Sequence, residues 1–479
     1  MATECNQEFF QFHPLNRREV RGSFDGGTIT SDGGGLLLRE VEQQTGIIGQ
    51  FAACFADHRD PERVEHTLAE MVGQRVYGLA LGYEDLNDHD ELRRDPLLAV
   101  LVDKADPTGE QRRRESDQGK ALAGKSTLNR LELGGDKLEK QERYKKILLD
   151  TAAVDRLLVD VFLQAHSDPP AEIILDVDST DVSLHGEQEE RFFHGYYGHY
   201  CYLPLYIVCG EHVLCARLRP SNQDGAAGTV EELERIVEQI RQAWPQVRII
   251  VRGDSGFCRE EIMSWCEQHR VDYVLGLAKN SRLLKEIATQ SAQAEAEYVK
   301  TGRAARVFTE FLYQTCDSWS RARRVIAKAE HLDKGPNPRC VVTSLSGQET
   351  VFPAPSRWAP QNLYEAFYCA RGDMENRIKE QMMLFADRTS TAFVRSNQIR
   401  LYFSTVAYQL VQALRRLGLA GTELAKAQCH TIRLKLLKIG AQIRVTARKV
   451  WISLSAGYPY VELFGQVYQR LQQSIPQRC

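Results

Sequence analysis

The pattern of apolar positions changes character twice along the chain. Up to about residue 150, apolar residues recur at helical spacing, as from Val64 to Leu81 and again around Leu128–Leu133. That predicts a mainly helical region, entered through a glycine-rich turn at Gly26-Gly27 and Gly33-Gly34-Gly35. From Glu172 short unbroken apolar runs take over. Ile173-Ile174-Leu175 leads into Asp176-Val177-Asp178, a buried strand with an acidic end. Tyr200–Val208 and His212–Leu218 read as two further strands, antiparallel, with Gly210 near the turn. Thr229–Trp244 is an amphipathic helix, with Val230, Leu233, Ile236, Val237 and Ile240 on one side. Val247–Val251 is a strand running straight into Arg252-Gly253-Asp254, Glu260–His269 a helix, and Tyr273–Leu277 a strand.

Three strands, helix, strand, helix, strand is the order that builds a mixed α/β sheet of the ribonuclease-H kind, flanked by helices. Residues 281–363 are more polar and strand-like (Arg306–Tyr313, Arg323–Ala327, Cys340–Ser344) and read as a β-rich insertion. Tyr364–Phe385 returns to helical spacing, and Ser404–Trp451 reads as helical and basic. The expected divisions are a helical N-terminal region over 1–150, the first part of the core over 167–280 and the insertion over 281–363. A core helix over 364–400 and a basic helical C-terminal region over 401–479 complete the chain. No internal repeat or low-complexity tract interrupts this plan.

Composition narrows the class. At 479 residues, 43% hydrophobic and 26% charged, the chain has the balance of a globular protein of more than one structural unit. The formal net charge of −3 counts mildly against nucleic-acid binding unless the charges are segregated, and they are. Arg112-Arg113-Arg114 with Lys120 and Lys125 form one basic cluster. Arg415, Arg416, Lys426, Arg433, Lys435, Lys438, Arg444, Arg448 and Lys449 face Glu423 alone in the tail, which suits a surface for DNA phosphates slightly better than a solvated helix face. The start MATECNQEFFQFHP lacks the basic and apolar blocks of a leader, and no stretch approaches a membrane span. The 12 scattered cysteines, without a C-x-x-C pair, fit a reducing cytoplasm and no zinc site.

The chemistry lies in the acids. A buried strand seldom ends in carboxylates unless something pairs with them, yet two strands do so here. Asp176 and Asp178, two apart, share one face of the first strand. Asp254 follows the Val247–Val251 run, where open α/β sheets place ligands. Each acid alone would ordinarily cap a turn or the next helix. In the later helix Tyr368, Arg371 and Glu375 fall on one stripe, where Arg371 and Glu375 would otherwise be a plain i,i+4 ion pair. Three converging carboxylates are what phosphodiester cleavage by two hard divalent cations requires.

Tyr368-x-x-Arg371-x-x-x-Glu375 resembles the signature helix of cut-and-paste insertion-sequence transposases. Asp178-Ser179-Thr180 is similar to their first-Asp motif, and Arg252-Gly253-Asp254-Ser255-Gly256-Phe257 to their second. Glu375-Asn376-Arg377-Ile378-Lys379-Glu380 and the opening Phe24-Asp25-Gly26-Gly27 are similar to the insertion-sequence family numbered 1380. The family lysine is expected seven residues after the glutamate, where Met382 stands; Lys379, one turn earlier, is its substitute.

The resemblance implies a ribonuclease-H-like catalytic core interrupted by a β-rich insertion, with Asp178, Asp254 and Glu375 as catalytic and metal-binding residues. It implies two Mg²⁺ per site, with Mn²⁺ as a replacement. Tyr368, Arg371 and Lys379 are the DNA-binding candidates. The implied partners are double-stranded DNA, as the element's inverted-repeat ends and its target, and a second copy of the chain on DNA. A cytoplasmic, nucleoid-associated protein without membrane or nucleotide cofactor is expected. Asp178 is preferred to Asp176 because Ser179-Thr180 completes the motif, which leaves Asp176 as an acid behind the site. A nuclease without strand transfer and a DNA-end-binding repressor with a vestigial site are the alternatives. Either the N-terminal region or the basic tail would read the repeats.

Other signals are weaker. Gly119–Ser126 matches the P-loop pattern letter for letter, but no apolar strand precedes it, and a basic loop near DNA fits better. Gly253-Asp254-Ser255-Gly256 resembles a serine-nucleophile motif, with no His and Asp placements to complete it. His194 and His199, placed on one strand, would point to opposite faces and could not share a metal. Trp319 and Trp358, among Arg303, Arg306, Arg321, Arg323 and Arg324, suit the holding of an unpaired base, and equally a core with a basic edge.

Overall fold

The computed structural model describes residues 9–135, 142–347 and 356–473. Residues 1–8, on which the absence of a leader was partly read, and 348–355, inside the expected insertion, lie outside the described residues. Two compact units divide the chain, one from the N-terminal part to Leu148 with the tail from Leu410, the other Leu149–Gln409. Among the described residues no helix is long and apolar enough to cross a membrane.

The second unit is built on one large sheet. Its strands are β1 (Glu172–Ser179), β2 (Leu205–Cys209), β3 (His212–Arg217), β4 (Arg248–Gly253), β5 (Asp272–Leu277), β6 (Ala305–Tyr313), β7 (Arg323–Leu332) and β8 (Arg339–Thr343). They lie in the order β3-β2-β1-β4-β5-β8-β7-β6. β2 runs antiparallel to both β1 and β3, whereas β1, β4 and β5 are mutually parallel. The strands expected as an insertion, β6 to β8, extend the same sheet: β8 pairs antiparallel with β5.

Pleat alternation sorts these strands onto two faces. Ile173, Leu175 and Val177 of β1 and Ile249 and Val251 of β4 fill one core, beneath helices α1 (Thr151–Gln164), α2 (Thr229–Ala243) and α3 (Glu260–Gln268). Ile250 and Val274 turn to the other face, where Trp358, Leu363, Tyr364 and Phe367 cover them. Asp176, Asp178 and Arg252 therefore point toward the segment that carries the signature residues. That segment is not one regular helix. A π turn over Leu363–Tyr368 and a 3₁₀ turn over Cys369–Arg371 precede α4 (Gly372–Met382). π turns in such settings are frequent at functional sites.

The long strand expected from Tyr200 to Val208 is split. His199–Tyr202 pairs with Phe192–His194 in a hairpin of its own, and the main-sheet strand starts only after Pro204, which has no N–H to give a ladder. His194 stands directly opposite His199 in that hairpin, so the two are a cross-strand pair and do not occupy opposite faces of one strand. The turn between them, with Gly198 at φ 76°, is what the single-strand reading overlooked.

In the first unit, helix Leu68–Leu81 starts at Thr67, whose side chain and Glu70 form a capping box. The glycine-rich turn is explained by a close approach: a Cβ on Gly34 would lie 2.0 Å from the Leu436 carbonyl oxygen. Strands depart from the helical expectation at both ends of this unit. Phe10–Leu15 and Arg18–Gly22 form a hairpin, and Ala441–Val445 with Val450–Leu454 forms another, joined by Thr28–Thr30. Several tail cations are also consumed internally. Arg415 is buried, the Arg433 Nε donates to the Ala80 carbonyl, and Lys438 pairs with Asp32 at 2.6 Å. Arg444, Arg448 and Lys449 remain exposed.

Candidate active site

The two acid-tipped strands are neighbours. β1 and β4 run parallel in register from Arg248 opposite Glu172 to Gly253 opposite Val177, so Asp178 and Asp254 emerge side by side at the same end of the sheet. Asp254 takes an extended conformation and its Oδ1 accepts the Gly256 N–H at 2.7 Å, fixing the turn. The side chain of Asp178 is largely enclosed, and its Oδ1 accepts the Ser179 N–H at 2.9 Å.

Arg371 ties the third acid to this pair. Its Nη1 lies 3.4 Å from Asp178 Oδ2 and its Nη2 3.9 Å from Glu375 Oε1. The i,i+4 pair expected on a solvated face is thus also an arm reaching the sheet. Glu375 is exposed enough to meet a ligand, at 53% of its side-chain surface. Burial pushes the Asp178 carboxyl up to about 6 against the pull of Arg371, and the charges of Asp254 and Glu375 push the same way. Asp178 therefore senses both of the other acids.

Among the described residues, no three His, Cys, Asp or Glu side chains are drawn close enough together to hold a metal ion as they stand. Asp178 and Glu375 are instead bridged by the Arg371 guanidinium, which supplies the positive charge between them. The donor set nevertheless fits a hard divalent cation: three carboxylates with an excess of negative charge.

Asp176 has a different task. Arg252, its neighbour across the β1–β4 ladder, grips it with Nε–Oδ1 at 2.6 Å and Nη2–Oδ2 at 2.8 Å, and both side chains are buried. The remaining nitrogen, Nη1, donates to the carbonyl of Phe367 in the π turn. Burial raises the Asp176 carboxyl and the bidentate guanidinium opposes it. One arginine thus joins both acid-bearing strands to the segment leading to Glu375. Sequence reading placed Asp176 behind the site but missed this partner.

Tyr368 and Gly276 interlock in the same place. A Cβ on Gly276 of β5 would lie 2.6 Å from Tyr368 Oη, 2.8 Å from Ser255 N and 3.0 Å from the Asp254 carbonyl carbon. Gly276→Ala is therefore expected to displace the Asp254 turn and lower the activity of the carboxylate site by at least about tenfold, 1.4 kcal/mol of barrier, while circular dichroism stays native. Wild-type activity in this variant would show that the close fit is idle.

Lys379 is exposed one turn after Glu375 and makes no ion pair among the described residues, while Met382 is half-buried. The 192–202 hairpin lies near enough for Asp178 to act on its Tyr197. His199 Nε2 lies 2.9 Å from Asp181 Oδ2, and burial with Asp181 and Asp178 pushes the Tyr197 phenol up to about 12. Trp319 and Trp358, at 6% and 1% exposure, are core side chains and present no face to a base. The P-loop look-alike follows a turn, not a strand, and the Ala123 N–H and carbonyl within it are both engaged by Gln74.

Comparison with solved structures finds the piggyBac transposase synaptic complex with hairpin DNA, at a TM-score of 0.42 and 10% identity, covering 94% of this chain and 86% of that one. No curated protein matches in sequence. The family model for the transposase DDE domain, group 1, matches residues 12–476. With that match running over nearly its whole length, the chain belongs to the DDE-domain transposases of group 1.

Proposed function

We propose that the chain cuts DNA at the inverted-repeat ends of an insertion sequence, of the family numbered 1380, and joins the freed ends to a target. The observation that carries this reading is that Asp178 and Asp254 emerge at the same end of adjacent parallel strands, with Glu375 tied to Asp178 through Arg371. The strand order β3-β2-β1-β4-β5 supports a ribonuclease-H-like core, with β6–β8 as the β-rich insertion between the second Asp and the Glu.

In this reading Asp178, Asp254 and Glu375 would hold two Mg²⁺ or Mn²⁺ ions, which supply Lewis-acid stabilisation to the attacking and leaving oxygens. The chain's own residues do the remaining work. Asp254, clamped by the Gly256 N–H, presents its carboxylate at a fixed point. Arg371, released from Asp178 and Glu375 once their charge is otherwise neutralised, turns its fork to the scissile phosphate. Lys379 meets a neighbouring phosphate from the exposed side of α4, and Tyr368 braces the Asp254 turn. Two copies on DNA would bring two ends together.

A joining assay tests the proposal. Purified protein, Mg²⁺ and pre-cleaved repeat ends are mixed with a supercoiled target. Covalent end-to-target products are expected. Nicking without joining would leave a nuclease, and end binding with neither would leave a repressor.

A further inference from the structure

The first unit holds an open recess of about 830 Å³ lined by nine lysine and arginine side chains against four carboxylates. In a protein whose net charge is −3, so much uncompensated positive charge in one concavity needs a counter-charge. Three of the arginines are neutralised locally: Arg59 by Asp57, Arg63 by Asp60, and Arg112 by Glu65 and Asp117. The other six, Arg93, Arg113, Arg114, Arg130, Arg143 and Lys146, form no ion pair among the described residues.

Their placement is built. The Arg93 Nε donates to the Asp90 carbonyl at 3.0 Å and the Arg113 Nη1 to the Glu62 carbonyl at 2.8 Å, contacts that hold a guanidinium in place without cancelling its charge. The Nε atoms of Arg112 and Arg130 and the Nδ1 of His66 are buried with no hydrogen-bond partner. The cations also oppose one another. Burial, then Lys104, Arg112 and Arg59, drives His66 down to about 3, and burial, then Arg59 and Arg143, lowers Arg130. A purely structural ion-pair network would pair its members; this one leaves six cations without an ion pair among the described residues, and guanidinium forks are suited to phosphate.

We propose that this recess is a DNA-backbone site, in which Arg113, Arg114, Arg130, Arg143 and Lys146 hold consecutive phosphates of the bound DNA at a distance along the chain from the carboxylate site. The proposal rests on the reading of the chain as a DNA-processing transposase and adds to it where the strand is gripped. The Arg112-Arg113-Arg114 run that stood out in the sequence lies on this wall.

The test uses the full chain in chelator, where no cleavage occurs, with a fluorescent 40-base-pair duplex and anisotropy over a salt series. Arg113→Glu/Arg143→Glu, both exposed positions, is compared with an equal charge reversal elsewhere, Lys300→Glu/Arg303→Glu, also exposed. Loss of two phosphate contacts should weaken binding by about tenfold or more and reduce the slope of log affinity against log salt by about two, while the control double changes little. Arg130→Gln, which keeps a polar end and removes the charge, should show a slope change of about one. Equal weakening by both doubles, or none by either, overturns the proposal. So does stabilisation of the wild type by millimolar pyrophosphate together with unaltered duplex affinity in the recess variants, which would mark a small-phosphate site. Glu375→Gln should bind as wild type in chelator, so failure of the catalytic reading leaves this result untouched, and the reverse also holds.

Discussion

Glu375→Gln is expected to abolish strand cleavage while leaving duplex binding in chelator, fold and melting temperature near wild type. The amide keeps the shape of the side chain and removes one negative charge from the cluster that Asp178 senses. Charge stabilisation of the reacting oxygens by carboxylate-held cations is worth several kcal/mol, and a loss of about 4 kcal/mol is on the order of a thousandfold in rate. Stability should hardly move, because Glu375 is half exposed and its contact with Arg371 is long at 3.9 Å. Arg371 keeps Asp178 as its partner. Cleavage within tenfold of wild type, by protein free of contaminating nuclease, would remove Glu375 from the chemistry and with it the three-acid reading. Loss of cleavage with a lowered melting temperature would instead assign Glu375 a folding role.

The acid-tipped strands could be read from sequence because of how they are buried. Ile173–Leu175 and Ile249–Val251 are apolar on both faces, so each reads as an internal strand, and an acid just after such a run stands out. The helices before and after the second run carry one apolar stripe each, and each ends one residue earlier than expected. What could not be read depends on pairing between residues far apart. Nothing local shows that Arg339–Thr343 adds to the edge at Asp272–Leu277. Nor is it locally visible that Arg252 faces Asp176 across a parallel ladder, since this follows only once the register is known. The π turn before Arg371 keeps helical spacing within its own few residues and so resembles an α-helix in sequence. The tail hairpin had a usable signal that the density of basic residues concealed. Ala441 and Ile443 are buried while Gln442 and Arg444 are exposed, a period of two and not of three to four. For the two tryptophans sequence left two readings open, a surface for an unpaired base and a core with a basic edge, and burial decides for the core, with Arg323 itself buried and spending its charge on Glu260 and Glu267.

Arg252→Leu should be the most destabilising single change near the site, and its double mutant separates holding the fold from holding the site. The single variant strands a buried carboxylate at Asp176, 6% exposed, and leaves the Phe367 carbonyl without its donor. Breaking one side of a buried ion pair costs about 3–5 kcal/mol, a large part of the stability of a domain. Asp176→Leu combined with Arg252→Met removes both charges together, a replacement that is often neutral for stability. Chemical denaturation should therefore show most of the loss recovered in the double variant. Cleavage should not recover. Without the guanidinium, β1 and β4 lose their direct bond to the π turn, and the segment carrying Arg371 and Glu375 is held there by apolar packing such as the edge-to-face contact of Trp358 and Phe367 at 5.3 Å. That contact is worth about 0.5–1.5 kcal/mol beyond area burial and has no directional demand on the Phe367 backbone. If the double variant regains both stability and wild-type cleavage, the Asp176–Arg252–Phe367 link is only a fold-stabilising pair, and the Glu375 helix finds its place through packing and the Arg371–Asp178 contact.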